Sequence, residues 1–246
     1  MSSSDGLDGG SAATQPLVVL CGPTAAGKSA LAMRLAEVLP ITIVSADSRQ
    51  IYRRFDIGTA KPTCQERDKV PHAGLDLVEP THRFSSFAWA SIAAKAIDDA
   101  RQSERIPVIV GGAGFYVRAL VTPEPGMMRY DARYLVVDPG PVLREWIAHR
   151  VDVMLAGGWR EEVVGLERDV PDSAPAWQAS GYAAVREMVR GNRSEHEARE
   201  AVVIATRQYA KRQRTWFRHQ LPADQTTRID PRSPDALARL EELVRP

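Results

Sequence analysis

Two hydrophobic rhythms alternate along this chain. Residues 18–21, "VVLC", are apolar at every position, as expected of a strand buried on both faces. Behind them Leu31, Leu35 and Val38 recur at helical spacing with Ala32 and Ala36 beside them, predicting a helix over 28–39. The rhythm then repeats. "ITIVSAD" reads as a strand ending in Asp47, and "SRQIYRRFDIGTAKPT" (48–63), with Gly58 and Pro62, reads as loop. "GLDLVEP" (74–80) reads as a short strand. "FSSFAWASIAAKAIDDARQSER" (84–105) reads as a helix whose apolar side includes Phe84, Phe87, Ile92 and Ile97. "IPVIVGGAGFYVRAL" is a buried strand passing through a Gly-Gly turn into another helix, and "RYLVVD" (133–138) is one more strand. Strands that alternate with helices predict a parallel α/β sheet.

Beyond Pro141 the pattern is helical, in segments 141–159, 160–170, 174–191 and 194–220, with Ser194 and Glu197 spaced as a capping box. The break at 121–132 is short and Pro-rich, too short for a domain linker. One domain over 15–246 is therefore expected, its C-terminal part helical from about residue 141.

Composition adds mainly exclusions. At 44% hydrophobic and 26% charged the chain suits an ordinary soluble core, and a net charge of +1 offers no global field for nucleic acid or membrane. Cys21 and Cys64 suggest neither a disulfide framework nor a zinc pattern. No run approaches a membrane span. Residues 1–14 are small and polar, without the basic start and apolar core of a signal peptide, and read as a disordered tail in a cytoplasmic protein.

Local motifs carry the chemistry. Gly22, Pro23, Thr24, Ala25, Ala26, Gly27, Lys28 and Ser29 form a P-loop between strand and helix, so the fold expected is a P-loop NTPase-like parallel sheet flanked by helices. Such a loop cradles phosphate on backbone N–H groups, Lys28 adds a cation, and the Ser29 hydroxyl suits Mg²⁺. A nucleotide hydrolase also needs an acid at a strand end for the metal. "IPVIVGG" ends in glycines, and Asp138 fits either that role or a turn. Asp47, past the neighbouring strand, suits a general base or a turn cap. Arg150 shares a helical stripe with Leu143, Ile147 and Met154, either snorkelling or pointing inward to clamp a diphosphate. Arg207, Lys211, Arg212, Arg214 and Arg218, interleaved with Tyr209, Trp216 and Phe217, read as a surface for phosphates and stacked bases.

Taken with "SADSRQIYRRFDIGTAKP", "VPHAGLDLVEP", "REWIAHRVDVMLAGGWREEVVGL" and "ATRQYAKRQRTWFRHQ", these stretches resemble the tRNA dimethylallyltransferase family in its own order over most of residues 17–220. The resemblance implies that the loop holds the diphosphate of dimethylallyl diphosphate with Mg²⁺ on Ser29. It implies that adenosine 37 of a tRNA anticodon loop enters flipped from its stack, in tRNAs reading codons that begin with U. It makes Asp47 the base for N6 of that adenosine. Lys28, Thr24 and Arg150 then neutralise the departing diphosphate. Asp47, Ser48, Arg49 and Gln50 seat the adenine, and Lys211, Arg212, Gln213, Arg214, Thr215, Trp216, Phe217 and Arg218 meet the tRNA. Family precedent implies a monomer.

The chain departs from the family pattern in three places. The all-helical insertion expected between "GGAGFYVRAL" and "RYLVVD" is replaced by 121–132. Gly-Gly-Thr reads Gly111-Gly112-Ala113. Gln178 and Ala183 stand where arginines are expected. Three other readings therefore stand beside tRNA prenylation: prenylation of free AMP, a P-loop kinase or ATPase, and a catalytically inert RNA-binding relic.

Overall fold

The computed structural model describes residues 15–122 and 130–245. The expected tail at 1–14 and most of the short link at 121–132 lie outside them. In chain order the elements are β1 (Gln15–Cys21), α1 (Lys28–Ala36), β2 (Ile41–Ala46), α2 (Cys64–Lys69), β3 (His72–Ala73), α3 (Ser86–Gln102), β4 (Ile106–Gly111), α4 (Gly114–Val121) and β5 (Tyr130–Val137). There follow α5 (Leu143–Ala156), α6 (Trp159–Leu166), α7 (Tyr182–Val189), α8 (Glu195–His219), β6 (Thr226–Ile229) and α9 (Ala236–Val244).

The described strands form one sheet in the order β3-β2-β4-β1-β5-β6, every neighbouring pair parallel. Both faces are covered, which is why the central strands read as unbroken apolar runs. All six residues of β2 are buried. α3 and α4 pack together over one face, α1 and α9 over the other, as right-handed crossovers running in opposite directions require. α5, α6, α7 and α8 form a helical group packed on one another. Among the described residues no helix is long and apolar enough to cross a membrane.

Four local expectations need correction. The strand expected at 74–80 is displaced: the ladder is His72–Ala73, and only Val78 bridges back, to Tyr52. Gly74 and Asp76 take left-handed backbone (φ 82° and 52°), which ends regular pairing. Helix α3 buries Trp89, Ala90, Ala93, Ile97 and Ala100, so Phe87 and Ile92 point outward. The indole of Trp89 donates to the Ser45 carbonyl at 2.9 Å and stacks on Tyr116, which fixes the helix's rotation. Helix α1 ends at Ala36, leaving Val38 exposed. The C-terminal part is not wholly helical, because Thr226–Ile229 adds a sixth strand on β5. That edge strand buries only Ile229, too little pattern to announce itself.

Candidate active site

Strand register decides which residues meet. Cys21 is level with Gly111 and Val136, and Gly111 with Ala46. The residues just beyond, Gly22, Gly112 and Asp47 one position on and Asp138 two, therefore leave the sheet along one carboxyl edge, where open α/β sheets bind ligands.

The loop after β1 is built for an anion. Gly22 (φ 140°) lies so close to the Val137 carbonyl that no Cβ fits there. Ala25 (φ 62°) and Gly27 (φ 88°) turn the chain left-handed into α1, and no side chain caps that helix. Its first N–H groups are thus left for a ligand. The buried Lys28 ammonium donates to the Pro23 carbonyl at 2.7 Å. Burial pushes Lys28 down to about 8, with the Arg150 charge in the same direction and Asp47 opposing. Ser29 is exposed.

A cavity opens beside this loop. Its polar end presents Thr24, Asp47, Arg49 and Arg150, and its apolar wall is Ile147, Val151, Met154, Trp159 and Val202. Gly58, Thr59, Ala179, Ser180, Thr206 and Tyr209 complete the lining. Arg150 thus turns into the cavity; burial lowers its pKa and Asp47 counteracts that. Asp47 Oδ1 accepts the Arg49 N–H at 2.8 Å, so one oxygen caps the turn and Oδ2 remains for a ligand.

The loop 48–63 is held from behind. Gln50 accepts from Ser45 Oγ (2.8 Å) and donates to the carbonyls of Thr59 and Ala60, so its amide serves the loop rather than an adenine. Lys61, its side chain fully buried, donates to the Tyr52 carbonyl and pairs with Asp56 and Asp76. Glu162 of α6 accepts the backbone N–H groups of Asp56 and Ile57 through one oxygen and the Tyr182 hydroxyl through the other. Ser48 is half-buried at the turn.

Helix α8 divides the residues expected to meet tRNA. Lys211, Arg212, Thr215 and Arg218 are exposed, with the Arg212 guanidinium 5.8 Å from the Tyr209 ring. Gln213 and Phe217 are buried. Gln213 accepts the Thr24 N–H at 2.7 Å and donates to the Gly112 carbonyl at 3.0 Å. Arg214 turns to Asp138 and to the Gly140 carbonyl. Trp216 packs over Gly114, where a Cβ would strike its ring. Of the side chains expected to meet tRNA, Gln213 and Arg214 thus turn inward and fasten the helix to the strand-end loops, and Phe217 is buried in the core. Sequence reasoning also missed Thr59 and Trp159 as lining residues. "GTAKP" was the available signal for the first; none marked the second.

Compared with known families, residues 50–125 and 122–220 match the model described as IPP transferase. The chain belongs to the IPP transferase family. Among relatives of this IPP transferase are tRNA dimethylallyltransferases of Cyanothece sp. and Kocuria rhizophila. Each is 35% identical, covering 82% of this chain and 89% and 86% of the relative. A full-length tRNA isopentenylpyrophosphate transferase from Bacillus halodurans superposes with a TM-score of 0.81 at 27% identity, over 94% of this chain and 96% of that one. A eukaryotic dimethylallyltransferase acting on tRNA shares the fold (TM-score 0.79, 21% identity, 94% and 78% covered).

The two matched pieces of this IPP transferase meet where α4 gives way to β5. The Cyanothece alignment spans 266 positions while using 82% of 246 residues, about 202, so the relative carries some sixty residues that this chain lacks.

Proposed function

We propose that this IPP transferase moves the dimethylallyl group of dimethylallyl diphosphate to N6 of adenosine 37 in tRNA, releasing diphosphate. One observation carries the reading: Thr24, Asp47 and Arg150 line a cavity whose other wall is apolar, and the buried Lys28 of the phosphate loop lies close enough for its charge to couple to Arg150 and Asp47. A short hydrocarbon bearing a diphosphate matches both ends. The enzyme relatives of the same family act on tRNA by name.

The chemistry asks for little beyond charge. As the allylic C–O bond breaks, its electrons pass to the diphosphate, where Lys28, Arg150, Thr24 and the loop N–H groups stabilise the developing charge. The adenosine nitrogen forms the new C–N bond, and Asp47 Oδ2 takes its proton. Magnesium fits the exposed Ser29 hydroxyl together with diphosphate oxygens, and when bound it adds positive charge to the leaving group. Among the described residues no cluster of three or more His, Cys, Asp or Glu could hold a metal ion.

The exposed cations of α8, with Arg49 at the cavity edge, form the polynucleotide side. Asp138 argues against a nucleotide hydrolase. Its two oxygens are engaged by Arg214 and its Oδ1 also accepts the Gly140 N–H, so the acid that follows β5 is not free for a nucleotide metal. A second reading, prenylation of free AMP, is favoured by the sixty-residue gap and by exposed Gln178 and Ala183 where arginines are expected. We place the chain in the cytoplasm as a monomer.

Incubation with labelled dimethylallyl diphosphate and either tRNA or AMP decides. Label is expected in tRNA; label in AMP alone selects the second reading, and ATP turnover without prenyl transfer overturns both.

A further inference from the structure

Among the described residues, helix α8 is hydrogen-bonded to the phosphate loop through one buried amide. Gln213, 6% exposed, bridges two segments that are distant in sequence: it accepts from the Thr24 N–H and donates to the Gly112 carbonyl. Thr24 is the only member of the loop so held by another helix among the described residues, and it lines the polar end of the cavity. Gly112 has no room for a Cβ against the same amide, so the fit is close on both sides. Neither bond is needed to form α8, whose own ladder and capping box account for it. What the bridge does is fix where Thr24 sits.

We infer that Gln213 is a positioning residue for the phosphate loop: by holding the Thr24 N–H and the Gly112 carbonyl, it sets the Thr24 side chain toward the donor diphosphate. A residue on the helix that carries the exposed cations thereby controls affinity for the other substrate. The inference rests on the diphosphate reading above. The physical basis is that the Thr24 N–H and the Gly112 carbonyl, both at a buried junction, would each lose a partner if the amide were removed. The loop would relax toward other partners.

The test is titration of the full chain with inorganic pyrophosphate in Mg²⁺, comparing wild type with Gln213→Met, which keeps side-chain length without either hydrogen bond. Gly112→Ala provides an independent perturbation, because its Cβ would push the amide from the opposite side. Folding of each is checked by circular dichroism. Both folded variants are expected to bind pyrophosphate about tenfold more weakly. In turnover the KM for donor should rise by a similar factor while the KM for tRNA stays within about twofold. A folded variant of either kind that keeps wild-type pyrophosphate affinity overturns the inference, as does an equal rise in both KM values, which marks a general packing defect. If wild type itself binds no pyrophosphate, the function on which the inference rests fails first.

Discussion

Arg214 grips Asp138 with two nitrogens, Nε at 2.9 Å from Oδ2 and Nη2 at 2.5 Å from Oδ1. The same Nη2 reaches the Gly140 carbonyl at 2.6 Å. A guanidinium that reads in the sequence as one more phosphate contact is thus spent within the protein, and so is the acid that follows β5. Arg214→Met should lower the melting temperature while leaving the salt dependence of tRNA binding unchanged. Lys211→Ala, on the exposed face, should reduce that log–log slope by about one and leave stability unaltered. Binding isotherms at several salt concentrations, with thermal melts alongside, separate the two.

Asp47 divides its work between two oxygens. Asp47→Asn keeps an acceptor for the Arg49 N–H, so the turn should survive. Loss of the base should lower kcat by about 10²- to 10⁴-fold with little change in donor KM. Single-turnover transfer to tRNA measures this. A variant with wild-type kcat would remove Asp47 from the chemistry.

Lys28 should impose a pH limit on donor binding. Its ammonium, pushed down to about 8 chiefly by burial and then by Arg150, is charged below that pH and loses its proton above it. Affinity for dimethylallyl diphosphate should therefore be level up to about pH 8 and weaken beyond. In Lys28→Met the affinity should be weak throughout and lose that inflection. Folding stability moves in the opposite sense. An unfolded lysine titrates near 10.4, so between about 8 and 10.4 the unfolded chain holds more protons. The cost of burying this ammonium is complete below about 8 and is relieved as pH rises. Donor titrations at pH 7 to 9.5 test the first statement, and denaturant melts over the same range the second.

Lys61 lies at the centre of the loop that carries Asp47 and Arg49. Its ammonium holds Asp56, Asp76 and the Tyr52 carbonyl, and Asp76 keeps a second partner in Arg67 at 2.7 Å. Lys61→Met should cost about 1 kcal/mol, because the carboxylates it leaves behind, Asp56 and Asp76, keep access to solvent. The denaturation midpoint should fall at constant m. Donor affinity should weaken as well, since the loop would no longer hold Asp47 and Thr59 in place. Unchanged stability would show that the aspartates find other partners.

The features legible along the chain were local. Unbroken apolar strands announced a buried parallel sheet, and the Gly-x₄-Gly-Lys-Ser loop its anion site. Asp47 and Arg150 stood out as charges where strand end and apolar stripe made them odd. Ser194 and Glu197 announced a helix start that the structure contains. These features depend on neighbours within a few residues, so spacing exposes them. Direction across the molecule was decided only by the tertiary structure. Gln213 reaches Thr24 across 189 residues of chain and Arg214 reaches Asp138 across 76, and nothing in a helical repeat says that these two, rather than Lys211 and Arg212, face inward. The same holds for the outward Phe87, rotated away by the hydrogen bond of Trp89, and for β6, a strand only because β5 offers it an edge. Helical spacing leaves the choice of face open when both faces are polar or both carry apolar residues. Packing makes that choice, because an unpartnered polar atom is costly to bury.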